Sequence, residues 1–288
     1  MKVVILFLLS SIYLFASSSF ISATELHSKL QDKNLVLLDI TDAKTYAKGH
    51  IVNAVNANVF DFRKQVGKYQ LMRSTQEVQE IARSLGINND SYVVIYGHGK
   101  AKELLKSSYL ALSLIVNGLK EVSILDGGIG EFSFEYHDLI TSKTSSVSKG
   151  NFVAKRNPNV LVDLNYVKEN IGKVPLIESR PYRYFTGEDQ SKGVRRLGHI
   201  PTAQSSFWKD KFLSDETVFS DEELKDIFIK KHHLNPNKEV IVYCTGGLEA
   251  SMNWYILSQT LGFKNAKLYD ASMREWGNRD DTPMVKGK

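Results

Sequence analysis

The sequence predicts two α/β domains in tandem, each a parallel sheet covered by helices on both faces. The chain has 288 residues, and at roughly 100–200 residues per domain that length suggests two domains. Its strand-like segments are continuous apolar runs that alternate with helical segments, a pattern typical of buried parallel strands. The same order of motifs occurs twice along the chain, which indicates a duplication.

The composition is that of an ordinary globular protein, with 42% hydrophobic and 24% charged residues. The net charge is +5, and no long run of like charges occurs, so a nucleic-acid partner is not expected. The sequence contains one cysteine, Cys244, which excludes an intrachain disulfide, a zinc cage and an iron–sulfur site. Any sulfur chemistry must therefore use Cys244.

The first residues are typical of an export signal. Lys2 precedes a nearly unbroken apolar run, Val3–Ala16, and candidate cleavage regions follow at 16–19 and at Ser22-Ala23. The run is shorter than the ~20 residues that span a bilayer. We therefore expect a signal peptide over residues 1–23 and an exported, periplasmic protein with no stable membrane span after cleavage. An uncleaved membrane anchor is the alternative.

A polar stretch rich in Ser and Thr, with Gly and Pro, divides the remainder of the chain and has the composition of a linker. We expect a first domain over 24–140, a linker over 141–157 and a second domain over 158–288. An ordered loop packed across a domain is the alternative for the middle segment.

The duplication is visible in two pairs of segments. Segments 35–54 and 174–203 each contain an apolar run, an acid, a Tyr-bearing stretch and Gly-His-Ile. Segments 92–100 and 239–247 are β-rich and lead into helices that we expect to end near a glycine. The spacing also agrees, since 47 positions separate His50 from Gly97 and 45 separate His199 from Cys244. The predicted helices are Lys102–Asn117 and Leu248–Leu261, followed by Gly118 and Gly262.

Cys244 lies where ligands bind in open α/β sheets, beyond the carboxyl end of a predicted strand, Glu239–Tyr243. The following Thr245-Gly246-Gly247 permits a tight turn whose N–H groups form an anion-binding nest at a helix N-terminus. Such a setting lowers a thiol pKa from ~8.5 to roughly 3.5–7.5, so we expect a reactive thiolate. The alternative is a small buried hydrophobic residue.

These segments resemble a known family. VIVYCTGGLEAS, followed by LGFKNAKLYDASMREWGNRDDTPM, resembles the active-site half of the two-domain rhodanese family, the thiosulfate and 3-mercaptopyruvate sulfurtransferases. LIESR…RRLGHIPTA resembles its acid, arginine and Gly-His-Ile-Pro stretch, and LLDITDAKTYAKGHIVNA with ILDGGIGEF resembles its N-terminal domain. The resemblance covers residues 24–288 and implies two tandem rhodanese-like domains.

The resemblance implies that Cys244 accepts a sulfane sulfur from a small anionic donor, becomes a persulfide and passes the sulfur to a thiophilic acceptor, cyanide or a thiol. No cofactor and no metal is implied. Arg180 would bind the donor's sulfonate or carboxylate, and Arg196 is a second candidate. The donor would also be held by loop N–H groups, those of Thr245, Gly246, Gly247, Leu248 and Glu249.

The first half lacks these groups, because Gly97 stands in place of the cysteine and Thr41 in place of the arginine. We therefore expect it to have a structural role and to wall off the cleft. His50 and His199 are expected to fix their own loops, although Asp42 and His50 are also candidates for approaching the site. Of the remaining candidates, Arg183 is expected to form an ion pair, Trp208 to line the cleft, and Trp254 and Trp276 to be core.

The loop departs from the family at Glu249, where mercaptopyruvate-preferring members have Thr. A carboxylate facing the nest would repel an anionic donor and raise the Cys244 pKa. Our hypothesis is that Glu249 faces away. The alternative function, which Glu249 favours, is a sulfur carrier that holds persulfide sulfur without turnover and delivers it to a protein partner. A related phosphatase is excluded, because a C-x5-R loop needs Arg where this sequence has Ala250. The oligomeric state is not predicted.

Overall fold

The structure, a computed structural model, describes residues 18–99 and 101–287, and its two halves repeat one architecture. The strands in chain order are β1 (Phe20–Ile21), β2 (Leu35–Asp39), β3 (His50–Ile51), β4 (Val55–Asn56), β5 (Arg63–Val66), β6 (Tyr69–Met72), β7 (Tyr92–Tyr96), β8 (Glu121–Leu125), β9 (Ile140–Thr141), β10 (Leu161–Val162), β11 (Leu176–Glu178), β12 (Gln204–Ser205), β13 (Val240–Tyr243) and β14 (Ala266–Tyr269).

Helices separate these strands. The α-helices are α1 (Ala23–Lys29), α2 (Ala43–Tyr46), α3 (Thr75–Ser84), α4 (Ala101–Val116), α5 (Gly128–Glu135), α6 (Leu164–Asn170), α7 (Tyr182–Thr186), α8 (Asp221–Lys225), α9 (Leu248–Tyr255) and α10 (Ser272–Trp276). Helices α8 and α9 continue as π-helical segments, Asp226–Lys231 and Ile256–Thr260. Short 3₁₀ turns cover Val59–Phe62, His137–Leu139 and Trp208–Lys211.

Each half contains one five-stranded parallel sheet, and the two sheets have equivalent strand orders. The first is β1-β8-β7-β2-β4 and the second is β10-β14-β13-β11-β12. Each strand of one sheet therefore has a counterpart in the other. This confirms the predicted fold class of two tandem α/β domains.

The central strands are apolar because both of their faces are covered. Every residue of β7 and of β13 is buried. Helices α4 and α9 follow these two strands and pack against each other between the domains, where Ser108 Oγ lies 2.8 Å from Ser251 Oγ. One hydrophobic core runs through both halves, so the carboxyl end of β13 lies against the first domain.

Most of the segment expected to be an export signal, residues 1–23, lies outside the described residues. Its last part belongs to the first domain, because Phe20 and Ile21 pair with β8 and Ser22 caps α1 with its side-chain oxygen. Of the two candidate cleavage regions, only 16–19 leaves β1 in the folded domain. Within 18–99 and 101–287, no helix is long and apolar enough to cross a membrane.

The segment 141–157 follows the alternative of an ordered loop packed across a domain. Its backbone N–H groups donate to the first domain, from Gly150 to Arg83 O at 2.8 Å and from Phe152 to Ile87 O at 3.1 Å. The Phe152 side chain is buried in the shared core. The polar composition therefore reflects exposed positions on one side of a chain that the first domain holds in place.

Candidate active site

Cys244 lies at the carboxyl end of β13, at the start of the turn into α9, where the sequence placed it. Its N–H donates to Ser272 Oγ at 3.0 Å, and its C=O accepts from the Met273 N–H at 3.0 Å. Gly247 completes the turn with φ +93°, and a Cβ there would lie 2.1 Å from Asp270 Oδ1. Only glycine fits this position, so the loop geometry depends on it.

The backbone amides of the loop point at the sulfur, as the nest interpretation predicts. The Gly247 N–H donates to Cys244 Sγ at 3.1 Å, and the amides of Ala250, Gly246 and Gly247 all favour the thiolate. The local arrangement is therefore that of an anion-stabilising loop at a helix N-terminus.

The expectation of a lowered thiol pKa is nevertheless wrong. Burial raises the pKa of Cys244 to about 12, and the negative charge of Glu249 raises it further. The sulfur is fully buried, so loss of hydration outweighs the three amides. A sequence pattern predicts that the loop amides point at the sulfur, but it does not predict how deeply the sulfur is buried.

The hypothesis that Glu249 faces away is also wrong. Its Oε2 accepts a hydrogen bond from the Thr245 N–H at 3.3 Å, and the residue lines the same cavity as Cys244. Burial raises the pKa of this carboxyl group. An amide that we expected to hold the donor thus holds a side chain of the loop itself.

A cavity of about 340 Å³ opens over this loop between the two domains. Cys244, Thr245, Gly246, Leu248 and Glu249 line it from the second domain. Leu105 and the half-exposed Phe60 add apolar surface from the first. The first domain therefore closes one side of the cleft, as the resemblance implies.

Four cationic side chains also line this cavity, and the sequence analysis singled out none of them: Arg63, Lys102, Lys106 and Arg274. Arg274 N–H donates to Thr245 O at 2.9 Å, and a Cβ on Gly246 would lie 3.2 Å from Arg274 Cδ. Its position just after β14, a neighbour of β13, is a signal that the strand-end rule could have used. The other three come from the first domain, and no motif marks them.

The structure does not bring Arg180 or Arg196 to the cavity. Arg180 is buried, pairs with Glu178, and donates to Ser191 Oγ at 3.0 Å and Gly198 O at 2.8 Å. Arg196 donates to the carbonyl oxygens of Thr282 at 2.8 Å and Trp276 at 2.9 Å. Both arginines tie loops of the second domain together, and the charge of Arg180 also acts on the Glu249 carboxylate.

The structure also shows where the remaining histidine, arginine, aspartate and tryptophan candidates lie. His50 Nδ1 lies 2.8 Å from Tyr46 O and His199 Nδ1 lies 2.7 Å from Phe185 O, so each histidine fixes its own domain's loop. Arg183 pairs with Asp189 at 3.1 Å, as expected. Asp42 caps α2 and lies outside the cavity wall, as does Trp208, which packs in the core with Trp254. Trp276 is likewise buried, in the second domain.

The equivalent loop of the first domain has no room for a nucleophile. A Cβ on Gly97 would lie 2.6 Å from Glu103 Cβ. The Glu103 carboxylate accepts from the His98 N–H at 2.6 Å, much as Glu249 accepts from Thr245. In both copies of the loop, a carboxylate thus accepts the N–H of the second residue after the strand.

Comparison with known proteins places this arrangement in a family. The model of the rhodanese-like domain matches residues 22–135 and 163–279. The sulfur carrier protein TtuD of Thermus thermophilus is 29% identical over 282 residues, covering 93% of this chain and 96% of that protein. The 3-mercaptopyruvate sulfurtransferase of Escherichia coli is 30% identical over 249 residues, covering 84% of this chain and 85% of that enzyme.

A solved structure shows the same fold at lower identity. An anaerobic ergothioneine biosynthesis enzyme from Chlorobium limicola, in complex with trimethyl histidine, superposes with a TM-score of 0.80 at 20% identity. The match covers 94% of this chain and 70% of that one. With both domains matched and the loop of Cys244 in place, the chain belongs to the rhodanese family of sulfurtransferases.

Proposed function

We propose that this protein is a sulfurtransferase that moves a sulfane sulfur from thiosulfate or 3-mercaptopyruvate to a thiophilic acceptor through a persulfide on Cys244. One observation carries the proposal: Cys244, whose buried sulfur receives a loop N–H, lines a cleft whose wall includes four cationic side chains. That setting suits a small anion whose sulfur must reach a buried thiol. Relatives named as a sulfur carrier and as a 3-mercaptopyruvate sulfurtransferase support the class.

The chemistry is a double displacement at sulfur. The Cys244 thiolate attacks the outer sulfur of thiosulfate, the S–S bond of the donor breaks, and sulfite leaves with the bonding pair. With 3-mercaptopyruvate the C–S bond breaks instead, and the carbon takes up the thiol proton to give pyruvate. The persulfide then gives its outer sulfur to the acceptor, such as cyanide, which becomes thiocyanate and regenerates the thiolate.

The raised pKa of the Cys244 thiol is expected to limit the rate of attack on the donor. With a pKa raised to about 12, only a very small fraction of Cys244 carries the thiolate at pH 7. The amides around Sγ then stabilise the attacking sulfur, while Glu249 opposes it. Turnover of the wild-type protein is therefore expected to be slow at neutral pH and to rise as the pH rises.

The test is formation of thiocyanate from cyanide with each donor. Continuous production that is lost in Cys244→Ser supports a sulfurtransferase. A rate equal to that of Cys244→Ser with both donors contradicts it. Arg183→Gln is the matched control, because it removes one exposed positive charge outside the cleft wall.

The second candidate is a sulfur carrier that loads Cys244 and delivers the sulfur to a protein partner. Glu249 favours it, because its carboxylate lies on the loop and disfavours the thiolate, which slows loading and so suits a single loading step better than rapid turnover. Stoichiometric loading of Cys244 without thiocyanate turnover would identify this function.

We further propose that the chain is exported to the periplasm after removal of its apolar N-terminal run. This rests on Lys2, the run Val3–Ala16 and the small residues that follow. Fractionation of cells that express the full chain, with N-terminal sequencing of the mature protein, tests it.

A further inference from the structure

Arg63 crosses from the first domain to the loop of Cys244. It begins β5 of the β5–β6 hairpin, and its Nη2 donates to Gly246 O at 2.6 Å and to Gln70 O at 3.0 Å. The side chain is 2% exposed, so this contact is made away from solvent. The turn that carries the thiol is therefore held partly by the other domain.

The surroundings of Arg63 fix its guanidinium in one place. It lies over the ring of Tyr109, 4.5 Å from the ring centre, and Nη2 is 3.8 Å from Asp270 Oδ1. The other oxygen of Asp270 accepts from Tyr109 Oη and from the Met72 N–H, both at 2.8 Å. A cation held this way from both domains is already ordered before any ligand arrives.

The Nε–H of Arg63 lacks a hydrogen-bond partner anywhere in 18–99 and 101–287, although this atom is buried. Buried N–H groups are almost always paired, so an unpaired donor on a charged side chain that lines a cavity is available to a ligand. Asp270 Oδ1, 3.8 Å from Nη2, is also buried without a hydrogen-bond partner among the described residues. The cavity that Arg63 lines is the one over Cys244. The other charges lining it are Lys102, Lys106, Arg274 and Glu249.

We propose that Arg63 binds the anionic group of the sulfur donor, a sulfonate or carboxylate, through Nε–H, and so takes the role expected of Arg180. This inference rests on the proposed function. The donor site would then contain residues of both domains, Arg63 from the first and Cys244 from the second. Arginine suits such a site because its fixed fork can hold Gly246 O with one N–H while another meets an anion.

The first experiment measures thiosulfate binding without turnover, by calorimetry on Cys244→Ser protein. Adding Arg63→Lys, which keeps the charge but lacks Nε–H, is expected to raise Kd about tenfold, the loss expected for one charge-assisted hydrogen bond. Adding Lys64→Gln instead, on the same strand and half-exposed, is expected to leave Kd unchanged. Equal affinity with and without Arg63→Lys, or no thiosulfate binding at all, overturns the inference.

The second experiment separates binding from a purely structural role. In the Cys244-containing protein, Arg63→Lys is expected to raise KM for thiosulfate and for 3-mercaptopyruvate about tenfold while kcat changes less than about threefold. A fall in kcat with KM unchanged means that Arg63 only supports the loop, and it overturns the inference. A rise in KM for one donor alone identifies which anionic group, sulfonate or carboxylate, Arg63 binds.

A third measurement needs no substitution at Arg63. In heteronuclear NMR of Cys244→Ser protein, the Arg63 Nε–H signal is expected to shift as thiosulfate is added, and an unmoved signal at saturation overturns the inference. Failure of the proposed function has a different signature. In that case the Cys244-containing protein makes no thiocyanate, while thiosulfate still binds and still depends on Arg63.

Discussion

The Glu249 carboxylate accepts a hydrogen bond from the Thr245 N–H, 3.3 Å from Oε2, within the loop that holds Cys244. The Glu249 carboxylate therefore occupies an N–H group that was expected to bind the anionic sulfur donor. Together with burial, its charge keeps Cys244 protonated near neutral pH. The loop has the amides of a sulfur-transfer site and, at the same time, a side chain that restrains the thiol.

Glu249→Gln is expected to lower the Cys244 pKa from about 12 by about one to two units, because a nearby negative charge is removed. Below the pKa, the thiolate fraction then rises about tenfold for each unit lost, and sulfur loading at pH 8 should accelerate accordingly. The ultraviolet absorbance of the thiolate during a pH titration, with Cys244→Ser subtracted, measures the shift. Glu103→Gln, at the equivalent loop of the first domain, is the control. An unchanged titration in Glu249→Gln would show that burial alone sets the pKa.

Gly247→Ala is expected to disrupt the site and lower stability. The new Cβ meets Asp270 Oδ1 at 2.1 Å and the backbone has φ +93°, whereas Gly262 has φ +69° with no neighbour within 4 Å. Gly262→Ala should cost only the left-handed strain of roughly 1–2 kcal/mol, and Gly247→Ala about 2 kcal/mol more. Urea unfolding of both variants measures the difference. Equal losses would mean that Asp270 moves aside freely.

Arg180→Met is expected to act on stability rather than on donor binding. It leaves the buried Glu178 carboxylate without its guanidinium, a loss of about 3–5 kcal/mol in comparable buried pairs. Arg183→Gln breaks an exposed pair and should change the free energy of unfolding by less than about 1 kcal/mol. Urea unfolding gives the energies, and KM for thiosulfate gives the binding. A stable Arg180→Met protein with a strongly raised KM would restore Arg180 to the donor site.

Removal of residues 1–23 is expected to destabilise the protein more than removal of residues 1–17. The longer deletion loses β1, whose Phe20 ring lies 5.5 Å from that of Tyr255 in the second domain. Burial of Phe20 and Ile21 contributes about 1.5–3 kcal/mol each. Thermal unfolding of the two truncated proteins compares them. Equal midpoints would show that β1 is dispensable and that cleavage near Ser22-Ala23 is tolerated.

The fold could be predicted because its signals are local and repeated. Apolar runs such as Tyr92–Tyr96 and Val240–Tyr243 identify buried parallel strands, and their duplication defines two domains with equivalent strand orders. The position of Cys244 and the direction of the loop amides followed from the strand, the glycine pair and the helix alone.

The electrostatics of the site could not be predicted in the same way. The direction of Glu249 is a side-chain choice, and the thiol pKa depends on depth of burial, neither of which a sequence pattern records. Arg63 reaches Gly246 only because the two domains pack together, and these residues are 183 positions apart. Arg180 matched the family motif, yet its buried partner Glu178 engages it.

Intact mass spectrometry after exposure to thiosulfate or 3-mercaptopyruvate measures most directly whether Cys244 carries sulfur. The wild-type chain should gain the mass of one sulfur atom with at least one donor, lose it on addition of cyanide, and gain nothing in Cys244→Ser. A wild-type mass that stays unchanged with both donors, in protein shown to be folded, would contradict sulfur transfer through this thiol.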